Sequence, residues 1–273
     1  MKPVLIVPIE IYPQIDLSNY SFVLKIEGVD QMQNALDIAK EQRQCKSILC
    51  EFGEVSVETI LKMDIKSPVN MYINCTFEGD MLSVIKSIKK EDTSKPIMYL
   101  FPPETPQLVT LLKILSSCGY KSGVKLSKEG EIDKDTFIEL ASYSYLSPVP
   151  HAQIEPFGYI QQEIHDKKVK YVDVCKLYFE APDTFAQVAK DGSIHLVSEF
   201  PELRRKLCDS VDEISKIDFS GIALEYRKLR FYNHFDNEDD CSKCAHFKIC
   251  SGFYKNRFVD CQEVMSTIYE MLF

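Results

Sequence analysis

Residues 96–126, PIMYLFPPETPQLVTLLKILSSCGYKSGVKL, carry the pattern that decides the fold class. The apolar run 96–101 has strand length. Thr105-Pro106 then supplies a helix cap and a first-turn proline, and Leu108, Leu111, Leu112 and Leu115 recur at i, i+3, i+4 and i+7. Gly119 stops that helix, and a second apolar run at 122–126 predicts the next strand. The same texture extends upstream. Strands are expected at 3–9, 21–27, 47–52 and 69–75, and helices at 30–40 (with Asp30 as N-cap), 56–63 and 80–90. A further helix at 134–146 ends the series. Repeated βα units predict a parallel sheet with helices packed outside it. About five such units are too few for an eight-fold barrel of ~250 residues, so the expectation is α/β, an incomplete (βα) barrel or open parallel sheet over 1–150.

Composition narrows the class. The 273 residues include 32 Lys+Arg against 41 Asp+Glu, a formal charge of −9, which argues against a nucleic-acid partner. No apolar run approaches the ~18–20 residues that span a bilayer, and Val4 to Ile9 is broken by Pro8, as a strand rather than a signal peptide would be. The ten glycines include no G-x-G pair and no G-x-x-x-x-G-K phosphate loop. Residues 147–158, with three prolines, have the composition of a linker to a second unit over 151–273. Within that unit Asp191-Gly192 predicts a hairpin between 185–189 and 193–197, and 210–232 predicts an amphipathic helix weakened at Gly221. The acidic residues 236–240 lead directly into the cysteine cluster. Arg227, Lys228 and Arg230 are expected on a solvated helix face, His195 facing solvent, and Glu54 at a strand end.

Ten cysteines in a chain expected to be cytoplasmic point to thiols and metal ligands rather than a disulfide framework. Four of them, Cys241, Cys244, Cys250 and Cys261, fall within residues 241–261, where even scatter would place about one. The C-x2-C pair can present two thiolates to one face of a tetrahedral site, and two further cysteines complete four sulfur ligands for an iron–sulfur cluster or zinc. Gly252 permits a close backbone approach, Phe247, Phe253 and Tyr254 would shield the site, and His246 is the alternative ligand, expected to point outward. Cys45, Cys50, Cys75, Cys118, Cys175 and Cys208 lie on or beside apolar runs and are expected as small buried hydrophobes.

The run 241–253, CSKCAHFKICSGF, resembles the C-terminal SPASM domain of radical S-adenosylmethionine peptide maturases. That domain carries C-x2-C-x5-C-x3-C, a later cysteine, and an upstream C-x(9–15)-G-x4-C hairpin. Cys241, Cys244 and Cys250 match the first three ligands, and Cys261 stands for the later one. Val197 and Tyr254 replace the cysteines that serve the family's first auxiliary cluster, and Cys175 lies one residue outside the upstream window. The resemblance therefore implies that the first cluster is lost and the second kept. The N-terminal half resembles the same family more weakly. Phe52-Gly53-Glu54-Val55 is similar to a degraded G-G-E-P, while the C-x3-C-x2-C loop that holds the catalytic cluster is missing between strand 21–27 and helix 30–40.

The resemblance implies a degenerate maturase with a small C-terminal α/β SPASM/twitch-like metal-binding domain and a [4Fe-4S] cluster on Cys241, Cys244, Cys250 and Cys261. It implies no cleavage of S-adenosylmethionine, and partners that are a precursor peptide or a complete radical maturase. A zinc-stapled interaction domain on the same fold is the alternative, because four thiolates also bind Zn2+.

Overall fold

The computed structural model describes residues 2–53, 55–88, 96–126, 132–165, 171–198, 200–232, 240–255, 257–258 and 260–273. Seven short strands cross one sheet in chain order. They are β1 (Val4–Pro8), β2 (Phe22–Ile26), β3 (Cys45–Cys50), β4 (Asn70–Asn74), β5 (Ile97–Phe101), β6 (Lys121–Val124) and β7 (Ile154–Glu155), each parallel to the one before. Three more extend the other side. β8 (Phe185–Val188) pairs parallel to β1, β9 (Ile194–His195) pairs antiparallel to β8, and β10 (Lys206–Cys208) pairs antiparallel to β9. The result is an open, mostly parallel ten-stranded α/β sheet in the order β10-β9-β8-β1-β2-β3-β4-β5-β6-β7.

Between the strands run α1 (Met32–Glu41), α2 (Val57–Leu61), α3 (Met81–Ser87), α4 (Leu108–Ser117) and α5 (Lys134–Leu146). Right-handed crossovers that advance in one direction place their helices on one face of a sheet. Leu24, Ile26, Ile48, Cys50, Ile73, Tyr99, Phe101 and Val124 share one face of the sheet and are at most 5% exposed, and α1 packs on β2 and β3 and α4 on β6. Side chains alternate along each strand, so Lys25, Leu49, Tyr72, Met98 and Lys121 form a row on the opposite face. Residues 171–185 cover part of that face. Phe179 packs edge-on against Tyr72, ring centroids 4.9 Å apart, and the Tyr178 hydroxyl donates to the Val124 carbonyl at 2.7 Å.

At the β6–β7 edge a Cβ on Gly123 would lie 2.6 Å from the Glu155 Cβ, so only glycine lets β7 pair there. Glu155 is thereby buried on this face, 3% exposed. Its carboxyl accepts from Gln153 Nε2 at 2.7 Å and from the Tyr159 amide at 2.8 Å. Burial pushes its pKa up to about 7.

The structure departs from the sequence expectations at several joints. The segment expected as a linker contains β7 and leads into α6 (Phe157–His165). Its backbone is tied to the sheet by Ser122 N–H to Gln153 O (3.0 Å) and Ala152 N–H to Ser116 O (2.9 Å), while its prolines flank β7, Pro148 and Pro150 before it and Pro156 after it. Strands from beyond residue 150 thus join both sides of one sheet. Asp30 is not the N-cap: Gly28 opens a 3-10 turn over Val29–Gln31, and the Gln31 side chain accepts from the Glu27 and Gly28 amides. α4 begins at Leu108 because the Thr105 hydroxyl bonds Pro102 O instead of a helix amide. The helix expected over 210–232 is broken. A 3-10 helix, Val211–Lys216, is followed by α7 (Phe219–Arg227), because Asp218 caps a new start by accepting from the Ser220 and Gly221 amides. α7 runs on into a π turn over Lys228–Tyr232. Among the described residues no helix is long and apolar enough to cross a membrane.

Candidate metal centre

The C-terminal segment builds the candidate site from tight turns. After the helical turn Asp240–Lys243, the Cys244 amide donates back to Cys241 O at 3.2 Å, closing the C-x2-C loop. A second short helix, Phe247–Cys250, ends where Ser251 (φ 48°) and Gly252 (φ 77°) reverse the chain in the left-handed region. That reversal aims the Gly252 amide at the Cys250 sulfur, 3.4 Å away, and brings the Phe253 amide to Cys250 O at 2.8 Å. Glycine suits this position because its φ carries no Cβ penalty. Cys261 opens the C-terminal helix, Cys261–Leu272, capped by Asp260, and that helix packs on α5 with a Lys134–Glu263 ion pair between them.

Two contacts fasten the segment to the rest of the fold. The Val172 amide donates to Lys248 O at 2.9 Å, and the Ser251 hydroxyl donates to Val172 O at 2.8 Å. The expected shielding aromatics are all buried, with Phe247 at 5%, Phe253 at 2% and Tyr254 at 0% exposure. Tyr254 lies among Phe137, Phe253 and Phe258.

All ten cysteines are thiols outside any disulfide. Cys241 and Cys250 are buried, and Cys244 and Cys261 half-buried. Burial first, then the charges of Cys244, Cys241 and Cys261, push the Cys250 thiol up to about 12, and Cys261 is raised by burial and by Cys244. The four expected ligands therefore share one neighbourhood. They are not drawn into a closed sphere: among the described residues no three His, Cys, Asp or Glu side chains are gathered as a ready-made metal site. The donor chemistry fits a thiophilic centre, with four sulfurs and an amide already directed at one of them. A metal would supply what the thiols lack alone, a positive charge that lowers their pKa and draws them together.

His246 is half-buried rather than outward. Its ring packs 5.1 Å from Tyr269, and its Nδ1 meets no hydrogen-bond partner among the described residues. The basic run is also corrected. Arg227 and Lys228 are exposed, but Arg230 is 1% exposed and pairs with Asp173 at 3.4 Å. Asp173 in turn accepts from the Tyr226 hydroxyl at 3.1 Å and from the Cys175 amide at 3.3 Å. Arg230 and a second buried arginine, Arg257, both lie against the Phe253 ring, at 5.6 and 3.7 Å. Periodicity could not find these residues. The signal was an arginine, Arg257, set among aromatics four residues after Phe253.

The remaining expected positions are dispersed. Cys45, Cys50, Cys75 and Cys175 are buried, Cys118 and Cys208 half-buried, and Cys175 lies beside Arg230 rather than the C-terminal thiols. His195 is half-buried, its Nε2 2.8 Å from the Ser193 hydroxyl. Gly53 is exposed after buried Phe52, while Glu54 and residues 236–239 lie outside the described residues. Comparison with protein-family models, curated proteins and solved structures returned no match.

Proposed function

We propose that the chain is a metal-binding, non-catalytic relative of the radical S-adenosylmethionine peptide maturases. In this reading it keeps one C-terminal SPASM-like centre and works in the cytoplasm with a complete maturase or on its precursor peptide. The observation that carries the reading is the Cys250 thiol, buried, met by the Gly252 amide and neighboured by Cys241, Cys244 and Cys261. The β8–β9 hairpin, with Gly192 at its tip, agrees with the upstream half of the resemblance. Cys241, Cys244, Cys250 and Cys261 would hold the group. An all-cysteine iron–sulfur cluster supplies structure or one-electron transfer and leaves no iron open to substrate.

Anaerobic purification followed by metal and sulfide analysis tests this. About four irons with matching sulfide per chain, and a brown colour, are expected for a cubane. One zinc per chain would instead assign the zinc-stapled interaction domain, whose four thiolates form a closed tetrahedron. Neither metal at stoichiometric level would overturn the metal-centre reading.

A further inference from the structure

The strand order places a crevice at one point of the sheet. β1 lies between β2 and β8 and is parallel to both. The chain leaves β1 toward β2 but leaves β8 toward β9, in the opposite direction. In open α/β sheets such a reversal opens a crevice beyond the carboxyl ends of the two strands, and ligands bind there. The crevice is present here as a cleft of about 680 Å³. Its walls are the turn after β1, the tip of the β8–β9 hairpin and the turn after β10. That volume lies within the range of ligand sites, ~300–1,000 Å³.

The lining fixes the chemistry of the occupant. Ile11 and Val211 give it buried apolar surface, and Asp16, Asp191, Asp209 and Asp212 bring four carboxylates to its rim. The Ser18 amide donates to Asp16 at 2.9 Å, and the Ser193 amide and hydroxyl donate to Asp191 at 3.0 and 2.5 Å, so both carboxylates are held ionised. Lys190, in the lining, is turned to Glu27 at 3.5 Å, while Lys206 pairs with Asp209 at 2.5 Å and its charge also reaches Asp191, so the four carboxylates outnumber the lysines beside them. These carboxylates are not gathered as a metal site. A compact metal ion is therefore the wrong shape of cation, whereas spaced ammonium or guanidinium groups on an extended chain match the rim.

We infer that this cleft binds a peptide segment bearing lysine or arginine, with an apolar side chain on its floor and the cations at its rim. The inference rests on the reading of the chain as a partner in peptide maturation, and it gives the precursor peptide a docking place and a chemical signature.

Fluorescence anisotropy of the metal-loaded full chain tests it, using a labelled ten-residue peptide of alternating lysine and leucine and the same peptide with glutamate for lysine. At low salt the lysine peptide is expected to bind at least tenfold tighter than the glutamate peptide. The double variant Asp191→Asn/Asp212→Asn should weaken lysine-peptide binding at least fivefold. Asp37→Asn/Asp64→Asn removes the same charge from exposed positions elsewhere and should leave binding within twofold. Equal weakening in both double variants, no preference for lysine, or full displacement by equimolar spermidine would overturn the proposal. Metal content is read on the same samples, so chains that lack metal yet bind the lysine peptide would sink the metal-centre reading and leave the cleft standing.

Discussion

Glu155 is a carboxyl held at 3% exposure by a glycine next door, with the Tyr159 amide and the Gln153 side chain as its hydrogen-bond donors. Its folded pKa of about 7 lies above the unfolded value near ~4.3, so the neutral form is the one that folding favours. That contribution is fully present below the unfolded pKa and is lost as pH rises toward 7, a total of a few kcal/mol at ~1.4 kcal/mol per unit. Urea-unfolding midpoints between pH 4.5 and 7.5 are expected to fall in the wild type, and Glu155→Gln should flatten that slope; an unchanged slope would place the titration elsewhere. Tyr254 makes a second case. Its hydroxyl is fully buried and has no hydrogen-bond partner among the described residues. Tyr254→Phe removes that desolvation cost and keeps the ring packing against Phe137 and Phe258, so a gain of about 1 kcal/mol is expected in the same unfolding assay. Loss of stability would show that the hydroxyl is satisfied. Glu155 did not announce itself in the sequence, because burial of a lone glutamate is decided by neighbours distant in the chain; Tyr254 was expected as a shielding aromatic, but the lack of a partner for its hydroxyl among the described residues was not. Arg230 is the sharper example. Its charge, on a helix beside Arg227 and Lys228, predicts solvent, yet Asp173 and Phe253 bury it.

Among the elements, those with strong periodicity were legible, and α5 matches its expected span of 134–146 residue for residue. The strands up to β6 were legible to within about two residues, since each is an apolar run bounded by breakers. β7 was not legible, because it is two residues long among prolines. The covering segment 171–185 was missed as well. It has no period, and its role depends on Phe179 and Tyr178 meeting Tyr72 and Val124 across the chain. The cysteine spacing located the candidate ligands, but not the Ser251–Val172 and Lys248–Val172 bonds that fasten their segment. These bonds set the expected consequence of losing a ligand. Cys244→Ala should lower metal content below a tenth of wild type and abolish amide-exchange protection over 247–255, because in the proposed reading metal binding is part of folding there. Protection in β2–β5 should persist, and Cys208→Ala, at a half-buried thiol on β10, should retain its metal. Full loading of Cys244→Ala would exclude it as a ligand.

At the scale of the whole molecule, parallel pairing of the strands from β1 to β6 followed from the βα texture, whereas the two-residue β7 and the addition of β8 to the free side of β1 did not, because nothing local specifies which edge a late strand joins. That topology bears on the chemistry the chain can perform. Reductive cleavage of S-adenosylmethionine takes an electron from a cluster iron with an open site and yields methionine and a 5′-deoxyadenosyl radical. The resemblance would place that iron on three cysteines just beyond the strand that is β2 here. In this chain five residues, 27–31, join β2 to α1, and the Gln31 side chain closes them by accepting from the Glu27 and Gly28 amides at 2.9 and 3.2 Å. The carboxyl ends of β2 and β3 carry ion pairs instead, with Lys25 2.7 Å from Glu51 and 3.4 Å from Glu27, and Lys125 3.8 Å from Glu51. On the sheet face opposite the helices, Phe179 occupies the space over Tyr72. Incubation of the reconstituted, dithionite-reduced protein with S-adenosylmethionine is therefore expected to give no 5′-deoxyadenosine above the level formed without protein. Adding a complete maturase and its peptide should restore product to that enzyme's own rate or higher. Multiple turnovers by this chain alone would overturn the accessory reading and direct the search for a catalytic cluster to Cys45, Cys50 and Cys75, the buried thiols nearest those strand ends in sequence.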